Sequence, residues 1–492
     1  MINSDFSAHE HIFKPRSLAV IGASSNPVKF GGIYLRALID YGFKGKLYPV
    51  NIKEDEIQGL KAWPTITDIP DAIDLAVITV PDRFVIDAVK ACAAKGVKGV
   101  QIITSGFRES GDQGKKMEEE LVEITRQHKI RIIGPNCFGI YSPKVGLTLL
   151  PGVDFSKKAG EVGFISQSGG GACDVAYMAR GRNVYFSVMV SYGNGCDIEA
   201  VELLRYFEQD PETKVIGAYI EGINNGRAFF KALKSCARKK PVVILKGGLT
   251  NQGRRGTMGH TGSMAGSSLI WPAAIKAAGA IAARDTKDLV ECLMAFQCLE
   301  TFRGNNAGVL AGGGLRCVEA LDAASDYGFI IPKLDAESLE KIQKYLPPSG
   351  GVAGNPIDLA NPMLPPKALI PMLKIMAEQD DVQFLLLYQM LFYIINALKA
   401  QSSSDGPPIE YHTAIARAAV EIRRKTGKPL AIIMPEIASD PAHSDIEVGR
   451  ITARYHYTSQ GIPCFDESCQ AFSVLKRVKD YYLLSQNVAG FS

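Results

Sequence analysis

Short, continuous apolar runs alternate with amphipathic segments along the first part of the chain. The runs that we predict as strands are residues 17–22, 46–50, 75–80, 97–104 and 131–134. Segments with apolar residues at helical spacing, 81–95 and 114–128, lie between them. Strands that are apolar along their whole length are typical of parallel sheets covered by helices on both faces. The pattern therefore predicts a Rossmann-like, doubly wound α/β domain over residues 1–145.

The same alternation begins twice more after the first domain. The apolar runs that we predict as strands there are 161–166, 184–190, 215–221, 241–246, 307–311, 384–388 and 430–434. Amphipathic segments again separate the runs, which indicates two further parallel sheets with helices on both faces. We therefore expect two flavodoxin-like doubly wound domains, one over residues 146–302 and one over residues 303–492.

Composition and charge exclude several classes of protein. Of the 492 residues, 46% are hydrophobic, and 55 basic residues nearly balance 51 acidic ones. The net charge of +4 argues against a dedicated nucleic-acid binder. No apolar run in the sequence approaches the roughly 20 residues of a membrane helix, and no signal-peptide core is visible. The ten Cys are scattered without a CxxC pair, so we expect a reducing, cytoplasmic location and no metal site.

The first predicted strand ends in a glycine loop that suits a pyrophosphate. Gly22 is followed by Ser24, Ser25 and Asn26, and a helix is predicted shortly afterwards. Such a loop presents backbone N–H groups and the positive end of a helix to an anion. The sequence is not GxGxxG, and Lys53 stands where an NAD-binding protein has an acidic ribose ligand. Lys53 favours a phosphorylated ribose, as in coenzyme A (CoA); a tight turn without a ligand is the alternative.

Two further glycine loops follow predicted strands in the second and third domains. The residues that we predict to bind phosphate there are Ser168, Gly169, Gly170, Gly312, Gly313 and Gly314. The nucleophile elbow of a serine hydrolase reads GxSxG, but here Ser166 replaces the first glycine and no catalytic histidine follows at an obvious place. Two such helix ends, one from each domain, are suited to hold a single anion from both sides.

A histidine in a loop of small residues is the candidate nucleophile. His260 lies in the segment Gly-His-Thr-Gly, just before a predicted helix. Neutral imidazole is a competent nucleophile near pH 7 when a partner orients its other nitrogen. Glu221, at the end of a predicted strand in the same domain, is placed to be that partner. The alternative interpretation is an ordinary glycine-rich loop.

These elements, in this order, resemble a family of acid–CoA ligases. The segments that carry the resemblance are Ile-Gly-Ala-Ser from residue 21, Gly-Pro-Asn-Cys-Phe-Gly from 134, Ser-Gln-Ser-Gly from 166, Gly-His-Thr-Gly from 259 and Gly-Asn-Pro-Ile-Asp-Leu from 354. The chain resembles the α subunit of succinyl-CoA synthetase. It resembles more closely the α subunits of the NDP-forming acyl-CoA synthetases, the ADP-forming acetyl-CoA synthetase family. The resemblance implies a CoA-binding domain, two ligase domains, and synthesis of acyl-CoA from a carboxylic acid, CoA and ATP.

The resemblance also implies roles for individual residues. His260 becomes a phosphohistidine, Glu221 orients and stabilises it, and the two glycine loops hold its phosphate. The residues implied to contact CoA are Gly22, Ser24, Ser25, Asn26, Lys53, Ile103, Thr104, Ser105 and Asn136, the last of them near the thiol end. The sequence shows no ATP-grasp domain, so ATP and Mg²⁺ would be bound by a separate ATP-grasp β subunit in a hetero-oligomer.

Two other functions fit parts of the pattern. A catalytically silent CoA-binding regulatory or assembly protein would keep the same fold, but such a copy would tend to lose His260 or Glu221, and both are present. A nucleotide-dependent oxidoreductase would use the first domain, but the absence of an acidic ribose ligand at the expected place disfavours it.

Overall fold

The structure, a computed structural model, describes residues 6–150, 154–253, 255–256, 270–401, 409–437 and 440–489. The chain divides into two compact units. The first unit comprises Met1–Arg180 and Val184–Leu289, and the second comprises Gly181–Asn183 and Val290–Ser492. Two of the large sheets lie in the first unit and one lies in the second.

The first sheet consists of five parallel strands in the order β2-β1-β5-β6-β7. Its strands are β1 (Ser17–Ile21), β2 (Lys46–Val50), β5 (Leu75–Ile78), β6 (Gly99–Ile102) and β7 (Arg131–Ile133). A small hairpin is formed by β3 (Glu56–Ile57) and β4 (Leu60–Lys61). The helices of this part of the chain are Phe6–Phe13, Phe30–Tyr41, Val85–Lys95 and Asp112–His128, with 3-10 turns at Ile66–Asp68, Asp82–Phe84, Arg108–Ser110 and Pro143–Val145.

The second sheet has the order β13-β12-β11-β9-β10-β8. Its parallel strands are β9 (Val162–Ser166), β10 (Phe186–Ser191), β11 (Val215–Ile220), β12 (Val242–Lys246) and β13 (Ile281–Ala283). At one edge, β8 (Gly139–Tyr141) pairs antiparallel with β10. The helices that follow these strands are Gly169–Arg180, Ala200–Gln209, Gly226–Ala237, Ile270–Ala277 and Thr286–Cys298.

The third sheet has the order β15-β14-β16-β17-β18 and is parallel throughout. Its strands are β14 (Ala307–Ala311), β15 (Ile357–Asp358), β16 (Phe384–Tyr388), β17 (Leu430–Ile433) and β18 (Cys464–Phe465). The helices of this unit are Gly314–Asp326, Ala336–Gln343, Pro366–Glu378, Leu391–Gln401, Ile409–Thr426, Ser444–Ser459 and Ser468–Ala489, with a 3-10 turn at Pro441–His443.

All three sheets share one strand order. When the parallel strands of each sheet are numbered by their place in the chain, the order is 2-1-3-4-5. The first strand therefore pairs with the third: β1 with β5, β9 with β11, and β14 with β16. Doubly wound proteins bind ligands at the carboxyl ends of such a pair, where the strand order reverses. Each of the three predicted glycine loops directly follows the first strand of its sheet. The three parallel sheets with their helices confirm the predicted α/β fold class.

The central strands are buried along their whole length. Every residue of β1, β9 and β14 is buried, and Val20, Ile165 and Leu310 are fully excluded from solvent. Burying a side chain of this size stabilises the fold by about 1.5–3 kcal/mol. These strands keep the switch points rigid because helices shield both of their faces.

A buried carboxylate directly after β18 is the centre of an ion-pair network in the second unit. Oδ1 of Asp466 accepts hydrogen bonds from the guanidinium groups of Arg450, at 2.8 Å, and of Arg454. Oδ2 of Asp466 lies 3.5 Å from the guanidinium group of Arg182. Arg182 also contacts Glu291 at 3.1 Å. Charges this far from water are tolerated only when they are paired, so the network fixes these five side chains relative to one another.

Gly31, the second residue of the helix Phe30–Tyr41, lies against the first glycine loop, and we expect a side chain there to be destabilising. A methyl group on Gly31 would lie 2.0 Å from the carbonyl oxygen of Gly22. Gly31→Ala should lower the free energy of unfolding by about 1–3 kcal/mol or more through overpacking, as measured by denaturant titration. Gly226→Ala, at a helix start with no atom within 4 Å of the added methyl group, is the control and should stay near wild type. An equal loss in both variants would contradict the close approach.

Candidate active site at the second switch point

The paired ends of β9 and β11 bring the second glycine loop next to Glu221. The connection is made by Gln167, which is 4% exposed. Its backbone N–H donates to the carbonyl of Tyr219 at 3.1 Å. Its side-chain oxygen accepts from the N–H of Glu221 at 2.8 Å and from the N–H of Gly222 at 3.0 Å. Sequence reasoning had overlooked Gln167, although it lies inside the Ser-Gln-Ser-Gly segment.

The carboxylate of Glu221 is buried, and among the described residues only one of its two oxygens has a hydrogen-bond partner. Its residue is 5% exposed, and Oε1 accepts from the Tyr219 hydroxyl at 3.1 Å. Burial, assisted by the negative charge of Glu221, raises the pKa of Tyr219, so the hydroxyl remains a neutral donor. Oε2 is buried and has no hydrogen-bond partner among the residues that the structure describes. A buried oxygen of this kind calls for a donor, and the donor predicted for it, His260, lies outside the described residues.

Ser168 caps the start of the helix Gly169–Arg180, and Gly170 in the same loop is exposed to solvent. Ser168 Oγ accepts from the N–H of Gly171 at 3.1 Å, and the Ser168 N–H is held by Ser166 Oγ at 3.2 Å. A Cβ at Gly169 would lie 2.5 Å from the ring of Phe138, whereas a Cβ at Gly170 would meet no atom within 4 Å. The loop thus combines a closely packed glycine with an exposed one at the positive end of a helix.

The third glycine loop has a carboxylate beside it. Gly313 has a φ of 122°, in the region that favours glycine, and it immediately precedes the helix Gly314–Asp326. A Cβ on Gly314 would lie 3.7 Å from Oδ2 of Asp358, which is at the end of β15. This negative charge opposes an anion at the same helix start. Phosphate binding at Gly312, Gly313 and Gly314 therefore stays a prediction with less support than binding at Ser168.

The first glycine loop already holds an anionic side chain. The Glu54 carboxylate accepts from the backbone N–H of Ser25 at 3.2 Å and from its hydroxyl, and it lies 3.5 Å from Ser24 Oγ. The hydrogen bond from Ser25 is the main cause that holds the pKa of Glu54 below its usual range. The sequence analysis finds no acidic ribose ligand among residues 49–53, whereas the structure places the next residue, Glu54, at this loop. This carboxylate occupies the N–H that a phosphate would use and opposes a second anion at the loop, so phosphate binding there stays a prediction.

The other residues predicted to contact CoA gather at the carboxyl edge of the same sheet. Thr104 follows β6; its hydroxyl donates to the carbonyl of Val80 at 2.7 Å, and its own carbonyl accepts from the Asn136 N–H at 3.0 Å. Ile103 is buried and Ser105 is exposed. Asn136 has a φ of 56° and is thereby fixed in a tight turn after β7. The structure brings these residues to one edge, and their contacts with CoA stay predictions.

Neither a metal centre nor a membrane span emerges from the residues described. Over the described ranges, no cluster of three or more His, Cys, Asp and Glu side chains is arranged to hold a metal ion. A search of the same residues finds no helix with the length and apolar character needed to cross a bilayer.

Comparison with known proteins identifies the family. Residues 16–143 match the CoA binding domain, and residues 159–296 match the succinyl-CoA ligase like flavodoxin domain. The α subunit of acetate–CoA ligase (ADP-forming) II of Pyrococcus furiosus is 35% identical over 477 residues, which cover 96% of this chain and 98% of that subunit. The chain belongs to the α-subunit family of the ADP-forming acetate–CoA ligases. The resemblance drawn from the sequence motifs is thereby confirmed.

Two more members of this family extend the likeness. The α subunit of acetate–CoA ligase (ADP-forming) I of Pyrococcus furiosus is 40% identical over 358 residues, or 71% of this chain and 76% of that subunit. A solved structure, the dinucleotide forming acetyl-coenzyme A synthetase 1 of Ca. Korarchaeum cryptofilum in complex with phosphate and ADP, matches with a TM-score of 0.81. It is 32% identical, and the match covers 99% of both chains. The shared architecture thus extends over all three sheets.

Gln167→Met should destabilise the protein, because it keeps the side-chain volume but removes the acceptor for two buried N–H groups. Each unsatisfied buried group costs about 1–3 kcal/mol, so we expect a loss of at least about 2 kcal/mol in the free energy of unfolding. Gln127→Met is the control, since Gln127 is exposed and bonds only Glu123 of its own helix among the described residues. Unfolding of Gln167→Met at the wild-type denaturant midpoint would show that the two N–H groups find other acceptors.

Proposed function

We propose that this chain is the catalytic α subunit of an NDP-forming acid–CoA ligase that works with a separate ATP-grasp β subunit. The enzyme makes acyl-CoA from a carboxylic acid, CoA and ATP through a phosphohistidine and an acyl phosphate. One observation carries the proposal: a glycine-rich helix start is tied by Gln167 to a buried glutamate, Glu221, whose Oε2 has no described partner. Membership of a family of ADP-forming ligase α subunits supports it along nearly the whole chain.

In the first half-reaction, His260 takes the γ-phosphoryl group of ATP. The ATP is bound with Mg²⁺ by the β subunit. A ring nitrogen of His260 forms a bond to phosphorus while the bond from phosphorus to the ADP oxygen breaks. Oε2 of Glu221 accepts from the other ring nitrogen and so fixes the tautomer of the imidazole. The helix start at Ser168, Gly169 and Gly170 stabilises the negative charge of the phosphoryl group.

In the second half-reaction, the phosphoryl group passes to the carboxylate of the substrate acid. An oxygen of the acid bonds to phosphorus, the bond from phosphorus to nitrogen breaks, and His260 is regenerated. The CoA thiolate then attacks the carbonyl carbon of the acyl phosphate, and phosphate leaves. The protein contributes mainly alignment and electrostatic stabilisation, which backbone N–H groups and helix starts provide without reorganisation.

CoA binds at the carboxyl edge of the first sheet in this proposal. Lys53 and the loop that contains Ser24, Ser25 and Asn26 face its phosphates, and Asn136 lies towards its thiol. Because Glu54 already accepts from the Ser25 N–H, a phosphate at this loop competes with that carboxylate. We further propose a cytoplasmic location, since the cysteines of the described residues form no disulfide.

His260→Asn should abolish phosphorylation of the α subunit, because the amide of asparagine cannot accept the phosphoryl group. The measurement is incorporation of acid-labile label from γ-labelled ATP in the presence of the β subunit. His128→Asn is the control, since His128 is an exposed residue at the end of the helix Asp112–His128, and it should be labelled as wild type is. Acid-labile label that persists on His260→Asn would refute the assignment.

Glu221→Gln should reduce turnover by at least about 100-fold, because a neutral amide cannot stabilise the charge that develops on the imidazole. The side-chain volume is unchanged and the first sheet is untouched, so the Kd for CoA should remain that of wild type. Steady-state kinetics and calorimetric CoA titration separate the two effects. Glu161→Gln removes an exposed carboxylate that pairs with Lys214 at 2.7 Å and serves as the control. Wild-type turnover in Glu221→Gln would remove Glu221 from the mechanism.

A further inference from the structure

A buried lysine lies at the carboxyl end of β12, beside Glu221. Lys246 is 6% exposed, and its register partner on β11 is Ile220. Its Nζ donates to the backbone carbonyl of Glu221 at 2.7 Å and also to the carbonyl of Gly247. A buried ammonium group is costly unless hydrogen bonds replace its hydration, so these carbonyls fix the position of the lysine.

The same ammonium group faces an aromatic ring from the next helix. Lys246 Nζ lies 5.0 Å from the centroid of the Trp271 ring, within the range of a cation–π interaction. Trp271 is the second residue of the helix Ile270–Ala277, and its ring also packs against Phe229 with centroids 5.6 Å apart. Lys246 and Trp271 flank in sequence the segment that contains His260. Their contact packs the end of β12 against the helix Ile270–Ala277.

The backbone of Glu221 is thus held at both its N–H and its carbonyl. Gln167 accepts from the N–H, Lys246 donates to the carbonyl, and Tyr219 donates to Oε1 of the side chain. With these three contacts made, the direction of Oε2 is determined. Catalysis by alignment is sensitive to such constraints, since a displacement of 1 Å can reduce a rate by about 100-fold.

We propose that Lys246 is a positioning residue that holds the backbone of Glu221 and so directs its carboxylate. It acts through the carbonyl of Glu221 and through the Trp271 ring, not by contact with the substrate. This inference rests on the proposed function, because it concerns the formation of the phosphohistidine. Its loss should slow phosphorylation of His260 and leave CoA binding, which belongs to the first sheet, unchanged.

The opposite end of the same strand offers a matched control. Lys240 lies just before β12, and its Nζ donates to the carbonyls of Phe207 and Asp210, both at 2.6 Å. Lys240 and Lys246 thus make the same kind of bond, an ammonium group to two backbone carbonyls, at opposite ends of one strand. Of these bonds, only those of Lys246 involve Glu221. Replacing either lysine should therefore reduce stability, whereas only the replacement of Lys246 should disturb the position of Glu221.

The test compares Lys246→Met with Lys240→Met in the complex with the β subunit. Both variants should melt at a lower temperature than wild type. We expect only Lys246→Met to form acid-labile label from γ-labelled ATP about 10- to 100-fold more slowly, with its Kd for CoA within twofold of wild type. Trp271→Leu keeps the hydrogen bonds of Lys246 and removes the aromatic ring, so it should also slow labelling, but less strongly than Lys246→Met. It replaces Lys246→Met as the test variant if Lys246→Met does not fold.

The outcomes separate the two proposals. Labelling of Lys246→Met at the wild-type rate, or equal slowing in Lys240→Met, would overturn the positioning role while leaving the proposed function intact. If Lys246→Met does not fold, wild-type labelling by Trp271→Leu would overturn it equally. Absence of acid-labile label on the wild-type chain, or its persistence on His260→Asn, would overturn the proposed function, and the role of Lys246 with it.

Discussion

Two backbone N–H groups, those of Glu221 and Gly222, determine the geometry of this site because one side-chain oxygen accepts from both. That oxygen belongs to Gln167, the residue directly after the neighbouring strand β9. A turn after a buried strand must find acceptors for its N–H groups or lose stability. Here the acceptor comes from the glycine loop itself. These two hydrogen bonds therefore fix the glycine loop and Glu221 relative to one another.

The three sheets repeat one topology but differ in the acid that stands near each glycine loop. In the first, the acid is Glu54, which is hydrogen bonded to the loop. In the third, it is Asp358, close to Gly314 at the helix start. In the second, Glu221 directly follows the neighbouring strand β11, and the helix is capped by Ser168. The loop whose helix start is capped by a hydroxyl group rather than approached by a carboxylate is the one best suited to an anion.

Most of the fold was predictable, because continuous apolar runs mark strands that are buried on both faces. The strands that sequence reasoning missed, such as β8, β15 and β18, have two or three residues, too few to show a period. Glu54 was missed because its side chain reaches back across the sheet edge to Ser25, which no spacing rule describes. Gln167 was missed because nothing in the sequence of a glycine-rich motif indicates that its amide oxygen accepts hydrogen bonds from the end of another strand. The location of Glu221 at a strand end followed from the alternation itself, whereas only coordinates show that its Oε2 has no partner among the described residues.

The ring of Phe138 against Gly169 has a consequence for how such enzymes can diversify. Phe138 stands between the turn that holds Asn136 and the edge strand β8, and its N–H is anchored by Ser191 Oγ at 3.1 Å. A Cβ at residue 169 would enter the space that the ring fills. The two positions share a single volume although they are distant in sequence. A larger side chain at residue 169 therefore requires a smaller one at residue 138.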